Sequence, residues 1–181
     1  MDSRSYIQNE VKVIKRGEAY LTPMKKHHIA ELNSVLSKEN KRELFLLGHY
    51  DIQTALHEMH NSSEAYIVRN KDKDLVFAGG LWYDPNEDWP QMFAMFSNKV
   101  SENFKLLARG SKMLVNFFDQ TQNGMSMTIL SDHEFMLNWA AWLGFEPVGI
   151  SVKDDTEYVE FVRCNPNKSN VYNSTSRPIT H

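Results

Sequence analysis

Between Met92 and Leu130 the hydrophobic pattern changes period twice. Met92-Phe93-Ala94-Met95-Phe96 is an apolar run of strand length. From Ser97 to Gln120 apolar residues return every three or four positions. Val100, Phe104, Leu107, Ala108, Ser111, Leu114, Val115 and Phe118 share one stripe, with Lys105, Arg109, Lys112, Asn116 and Asp119 off it. Asn123-Gly124 punctuates, and Met125 to Leu130 reads as a strand. A long helix with one apolar stripe between two strands needs a sheet to lie on, so the chain must build layers of both kinds.

The flanking segments add to this frame. Val11 to Ile14 is one short edge strand within a polar arm, residues 1–17. Ala19 to Met24 is a strand carrying Pro23, and Lys25 to Leu36 has helical spacing through Ile29, Leu32, Val35 and Leu36. Leu44 to Leu47 end at Gly48, and Asp51 caps a helix carrying Ile52, Ala55, Leu56 and Met59. Ala65 to Val68, the turn Asn70 to Asp74 and Leu75 to Ala78 form a hairpin, with Gly79-Gly80 marking a bulge or a close backbone approach. Asp132 begins a last helix through Phe135, Met136, Trp139 and Leu143, closed by Gly144. Val148 to Val152 and Thr156 to Val162 close the domain as a hairpin, and from Cys164 the composition is that of a flexible tail. The expected organisation is an arm over 1–17, one α/β domain over 18–163 with a mixed, mostly antiparallel sheet covered by helices on both faces, and a tail over 164–181.

Composition removes several function classes. A net charge of −3 lacks the clustered cations of a phosphate-neutralising nucleic-acid binder. No stretch is apolar for the roughly 18 residues of a membrane helix, and Met1 to Arg16 is no signal peptide. The single cysteine, Cys164, allows no internal disulfide, which fits a reducing cytoplasm, and nothing beside it in sequence activates it.

The element order, with Leu143-Gly144-Phe145 followed by Glu146 and Gly149, resembles the GNAT (N-acetyltransferase) superfamily over residues 18–163. A finer resemblance is to the GNAT-like internal virion protein A family of podophages. It rests on Phe93 to Val100, Phe104 to Arg109, the opening Pro23-Met24-Lys25-Lys26-His27-His28-Ile29 and the run Lys41-Arg42-Glu43-Leu44. That likeness implies a virion component or assembly factor in the host cytoplasm or the particle, working through phage or host proteins.

The GNAT resemblance also says where acetyl-CoA would bind. The family cradles the cofactor pyrophosphate on backbone N–H groups of a glycine-rich turn before the long helix. Here that stretch is Phe96, Ser97, Asn98, Lys99 and onward to Asn103, without a glycine and with Glu102 adding negative charge. Many members protonate the leaving thiolate with a tyrosine that aligns with Ala140. The family's frequent asparagine aligns with His133, so His133 and Asp132 are the candidate catalytic groups, as general base through a water. These departures favour a protein that acts by contacts without acetyl transfer. A divergent acetyl-CoA-dependent N-acetyltransferase is the alternative.

Other features have plainer readings. His57 and His60 are spaced i, i+3 with no third ligand in view, so no metal site is expected. His27 and His28 are expected to point apart and be exposed, and Asp132 to cap the last helix. Lys105, Arg109 and Lys112 form a basic ridge on a solvated face. Trp82 and Trp89 flank the acidic loop Asp84 to Asp88. Were both exposed, they would suit a protein interface, such as inhibition of a host protein.

Overall fold

The computed structural model describes residues 12–14 and 19–166. Its elements are β1 (Lys12–Ile14), β2 (Ala19–Pro23), α1 (His28–Val35), α2 (Lys38–Leu46), α3 (Ile52–Ser62), β3 (Ser63–Asn70), β4 (Leu75–Trp82), β5 (Gln91–Phe96), α4 (Phe104–Phe118), β6 (Gly124–Leu130), α5 (Glu134–Trp142), β7 (Glu146–Lys153) and β8 (Thr156–Cys164). The rest of the 1–17 arm and the tail from 167 lie outside the described residues. β8 carries the chain through Cys164, and Asn165 is buried behind it.

The eight strands form one sheet in the order β1-β2-β3-β4-β5-β6-β8-β7, antiparallel throughout except for β5 beside β6. Alternation along the strands sorts the core into two layers. Tyr66, Val68, Met92, Ala94, Met127 and Ile129 face α4 and α5. Ile67, Ala78 and Met95 face α1, α2 and α3. The helices therefore cover both faces of a mixed sheet, as the pattern required.

Local signals explain the borders. Asp51 Oδ1 accepts the N–H groups of Gln53 and Thr54 at the start of α3. Gly79 and Gly80 pair in unbroken register on both sides, so there is no bulge. A Cβ on Gly80 would lie 2.1 Å from the Glu64 carbonyl oxygen, which makes this a close backbone approach. The ladder irregularity falls earlier on the same strand, where Val76 is the extra residue opposite Val68 and Arg69.

The long helix begins later than its periodicity suggested. Ser97 is buried and its N–H donates to Val76 C=O at 2.9 Å, so β5 runs on into a turn and a 3-10 segment, Ser101–Asn103, before α4 starts at Phe104. Leu107, Ser111, Leu114, Val115 and Phe118 are buried as the stripe demands, while Phe104 lies half open against Phe135.

The turn after α5 fastens this half of the molecule. Gly144 adopts φ +84°, and a Cβ there would lie 2.4 Å from the Arg163 guanidinium. Arg163 donates to Leu143 C=O at 3.0 Å and pairs with Asp119 Oδ2 at 2.7 Å, with both side chains largely buried. Phe145 drops into the core at 2% exposure.

Candidate functional site

Parallel neighbours β5 and β6 touch only at their first halves, where Gln91 registers with Ser126 and Ser126 N–H donates to Pro90 C=O. Beyond that the strands part. The inner edge of β5 then presents Ala94 C=O, Phe96 N–H and Phe96 C=O with no strand to meet them, inside the protein where such groups are costly to leave unpaired. A split of this kind is where an extended ligand bearing amides would add to the sheet.

The chain fills the split itself. Leu36 makes a bridge to Ser97, with Ser37 N–H donating to Phe96 C=O and Asn98 N–H donating to Val35 C=O, each at 2.8 Å. Asn40, with no exposed surface, accepts from Phe96 N–H on Oδ1 at 2.7 Å and donates from Nδ2 to Ala94 C=O at 3.4 Å. Ser37 caps α2 by accepting the Asn40 N–H on its hydroxyl oxygen, and its hydroxyl donates to Asn40 Oδ1. One buried asparagine thus stands in for a missing strand.

The turn expected to cradle a pyrophosphate is occupied as well. Ser97 N–H goes to Val76 C=O, Asn98 N–H to Val35 C=O, Lys99 N–H to the Ser97 hydroxyl and Val100 N–H to Ser97 C=O. The four successive amides all have acceptors within the protein. Lys99 Nζ lies 3.0 Å from Asp74 Oδ2, and that carboxylate raises its pKa. Phe96 is buried among Phe77, Phe135 and Trp139. Of the four residues assigned to cofactor binding, two are therefore buried and Lys99 is committed to a carboxylate.

The catalytic candidates lie at the far side of the split. His133 sits at the N-cap position of α5, half-buried, and burial holds its imidazole below the usual value against the opposing pull of Glu39 and Asp132. Asp132 does not cap α5. Its carboxylate is held in a two-pronged contact by Arg42 of α2, at 2.7 and 3.3 Å, which lowers its pKa and leaves an exposed ion pair. A carboxylate so engaged is a weak base. Phe135 brings the start of α5 against Phe96, so the structure does unite these candidates with the end of β5. Ala140, which the resemblance sets against a tyrosine, is fully buried.

Sequence reasoning missed Ser37, Asn40, Glu43 and Tyr158. Glu43 accepts from Asn40 Nδ2 at 3.3 Å, and burial pushes its carboxyl up. Tyr158 is 3% exposed, its hydroxyl has no partner among the described residues, and burial followed by the nearby Glu43 raises its pKa. Around the Arg42–Asp132 pair lies a pocket of about 230 Å³, lined also by Leu130, Asp155 and Glu157, below the roughly 300 Å³ from which small-molecule sites start.

The remaining candidates fall elsewhere. His27 and His28 do not point apart; their rings meet edge to face at 4.1 Å, and His28 Nδ1 accepts the Lys25 N–H. Among the described residues no three His, Cys, Asp or Glu side chains converge. Lys112 Nζ sits 4.8 Å over the Trp142 ring. Trp82 is exposed, but Trp89 lies against Gly124, where a Cβ would come within 2.7 Å of its ring. The tryptophans at 82 and 89 are thus no exposed pair. No described helix is long and apolar enough to cross a membrane.

No protein-family model matches the sequence, and no curated protein matches it. Solved structures do match. A GnaT-family protein from Bordetella pertussis superposes with a TM-score of 0.68 at 13% identity, over 86% of this chain and 100% of that one. Spermidine N-acetyltransferase from Vibrio cholerae, in complex with CoA and spermine, gives a TM-score of 0.67 at 8% identity, over 83% of this chain and 97% of that one. Ribosomal-protein-S5-alanine acetyltransferase from Vibrio fischeri gives 0.63 at 11% identity, over 88% and 98%. The chain has the fold of the GNAT acetyltransferases.

Proposed function

We propose that this chain uses the acetyltransferase fold as a scaffold for protein contacts, in virion assembly or as an internal virion component of a phage, and does not transfer acetyl groups. One observation carries the loss of chemistry. The backbone groups that a cofactor would need, along the inner edge of β5 and through Ser97 to Val100, are already bonded to Val35, Ser37, Asn40, Val76 and Ser97 itself. To bind, acetyl-CoA would have to displace satisfied buried bonds and bring its phosphates toward the Lys99–Asp74 pair and Glu102. The virion role rests on the resemblance of Phe93 to Val100, Phe104 to Arg109, Pro23 to Ile29 and Lys41 to Leu44 to the podophage proteins.

The test is calorimetric titration with acetyl-CoA, with thermal melting beside it. No heat and no melting shift up to millimolar cofactor is the expected result. A ligand at one hundred times its Kd adds about 2.7 kcal/mol of stability, so micromolar binding would raise the melting temperature plainly and overturn the scaffold reading. Mass spectrometry of purified particles then tests the virion role.

A divergent N-acetyltransferase is the second reading, favoured by a neutral, half-buried His133 at the split and by neighbours crystallised with CoA. It expects amine acetylation that falls when His133 becomes alanine.

A further inference from the structure

Among the described residues β7 has no neighbour on its outer side, and Val148, Ile150 and Val152 are 59%, 66% and 69% exposed. An exposed strand edge bearing three β-branched residues is a template for another strand, and isolated domains usually blunt such edges. The bonding direction follows from the register. Ser131 N–H donates to Glu157 C=O and Asn165 N–H to Asn123 C=O. Glu157, Val159 and Phe161 therefore turn their backbone groups to β6, while Tyr158, Glu160 and Val162 turn theirs to β7. Their partners Ser151, Gly149 and Glu146 point inward, which leaves Ile150 and Val152 pointing out. The register shift between Pro147 and Gly149 makes Val148 an extra residue. Pro147 and Val148 then share one outward position, where Val148 offers an N–H and Pro147 has none.

We propose that two copies of this chain pair β7 with β7, antiparallel, about a twofold axis at Ile150. Ile150 then exchanges both backbone hydrogen bonds with its own copy, and Val152 of each chain meets Val148 of the other. The bulge decides what comes next. Without it Glu146 would face Asp154; the extra residue moves Glu146 opposite Lys153 instead. Two ion pairs, one each side of the axis, thus close a register that is complementary to itself in shape, hydrogen bonding and charge. The proposal does not depend on whether the chain binds a cofactor.

Sedimentation velocity on the full chain, from micromolar to hundreds of micromolar, is the first measurement, with a dimer expected. Ile150→Lys sets two like charges at the axis and should give a monomer with an unchanged melting profile once dissociated. Glu146→Lys and Lys153→Glu should each weaken the dimer about tenfold, and the two together should restore it. A monomer at every concentration, or a dimer that survives Ile150→Lys, overturns the pairing. Failure of the double reversal to restore the dimer overturns this register.

Discussion

The inner edge of β5 and the outer edge of β7 pose the same physical problem and receive opposite treatment. Each presents backbone donors and acceptors that no strand of the sheet meets. At β5 the groups lie inside the protein, and the chain closes them with Ser37 and a fully buried Asn40. At β7 they lie at the surface and nothing from the described residues covers them. The contrast teaches where the chain tolerates a ligand. An edge sealed by the protein's own side chains is structural, whereas an edge left bare beside apolar side chains is available for association.

Substitution at the two edges should separate them sharply. Asn40→Leu keeps the volume but strands Phe96 N–H and Ala94 C=O in the interior, and urea unfolding should show a loss of about 3 kcal/mol. A loss below about 1 kcal/mol would mean that water enters the split and the edge is not sealed. Ile150→Thr on the outer edge should change the stability of the monomer by less than about 0.5 kcal/mol in the same assay.

Two titrating groups test smaller effects, Glu43 against the seal through Asn40 and His28 at the start of α1 beside Lys25 and His27. Burial raises the Glu43 carboxyl above its ordinary value of 4.5, so its favourable contribution is complete below that pH and is lost as pH rises through the raised pKa. Glu43→Gln should therefore stabilise the protein at neutral pH and flatten that decline. His28 behaves in the opposite sense. Burial first, then His27 and Arg69, lowers its pKa from 6.5 to about 4, so stability present above pH 6.5 is lost as pH falls toward 4. His28→Gln should flatten the acid limb, read from urea midpoints across the range. The effect should be smaller than that of Asn40→Leu, because the ring is only part-buried.

What was legible in the sequence had a local cause. Asp51 at a helix start, Gly144 at a helix end and the Asn70–Asp74 turn each carry their geometry in neighbouring residues, and each appears where expected. Asn40 was not legible because it sits in Lys38 to Glu43, a run that reads as solvated surface; only the parting of β5 and β6 draws it inside. The start of α4 was misplaced because Val100 continues the apolar stripe while Ser97 is held by Val76 across the sheet. Val148, Ile150 and Val152 alternate just as buried strands do. Their exposure follows from β8 lying between β6 and β7, a topology that periodicity does not encode. The candidate site was half visible: the absence of glycine from Ser97 to Asn103 can be read in the chain, but the acceptors that hold the amides of Ser97 to Val100 cannot.

Arg163 gives the domain an order of assembly. It ties the end of α4, through Asp119, to the turn after α5, and it sits on the last strand of the sheet. On the ribosome every element from β1 to β7 is made before this side chain emerges, yet β7 joins the sheet only through β8. Until β8 is made, β7 has no strand among the described residues through which to join the sheet. Folding of this domain is thus a closing step reserved for the final strand, and a chain stopped ahead of β8 would expose two unpaired edges at once.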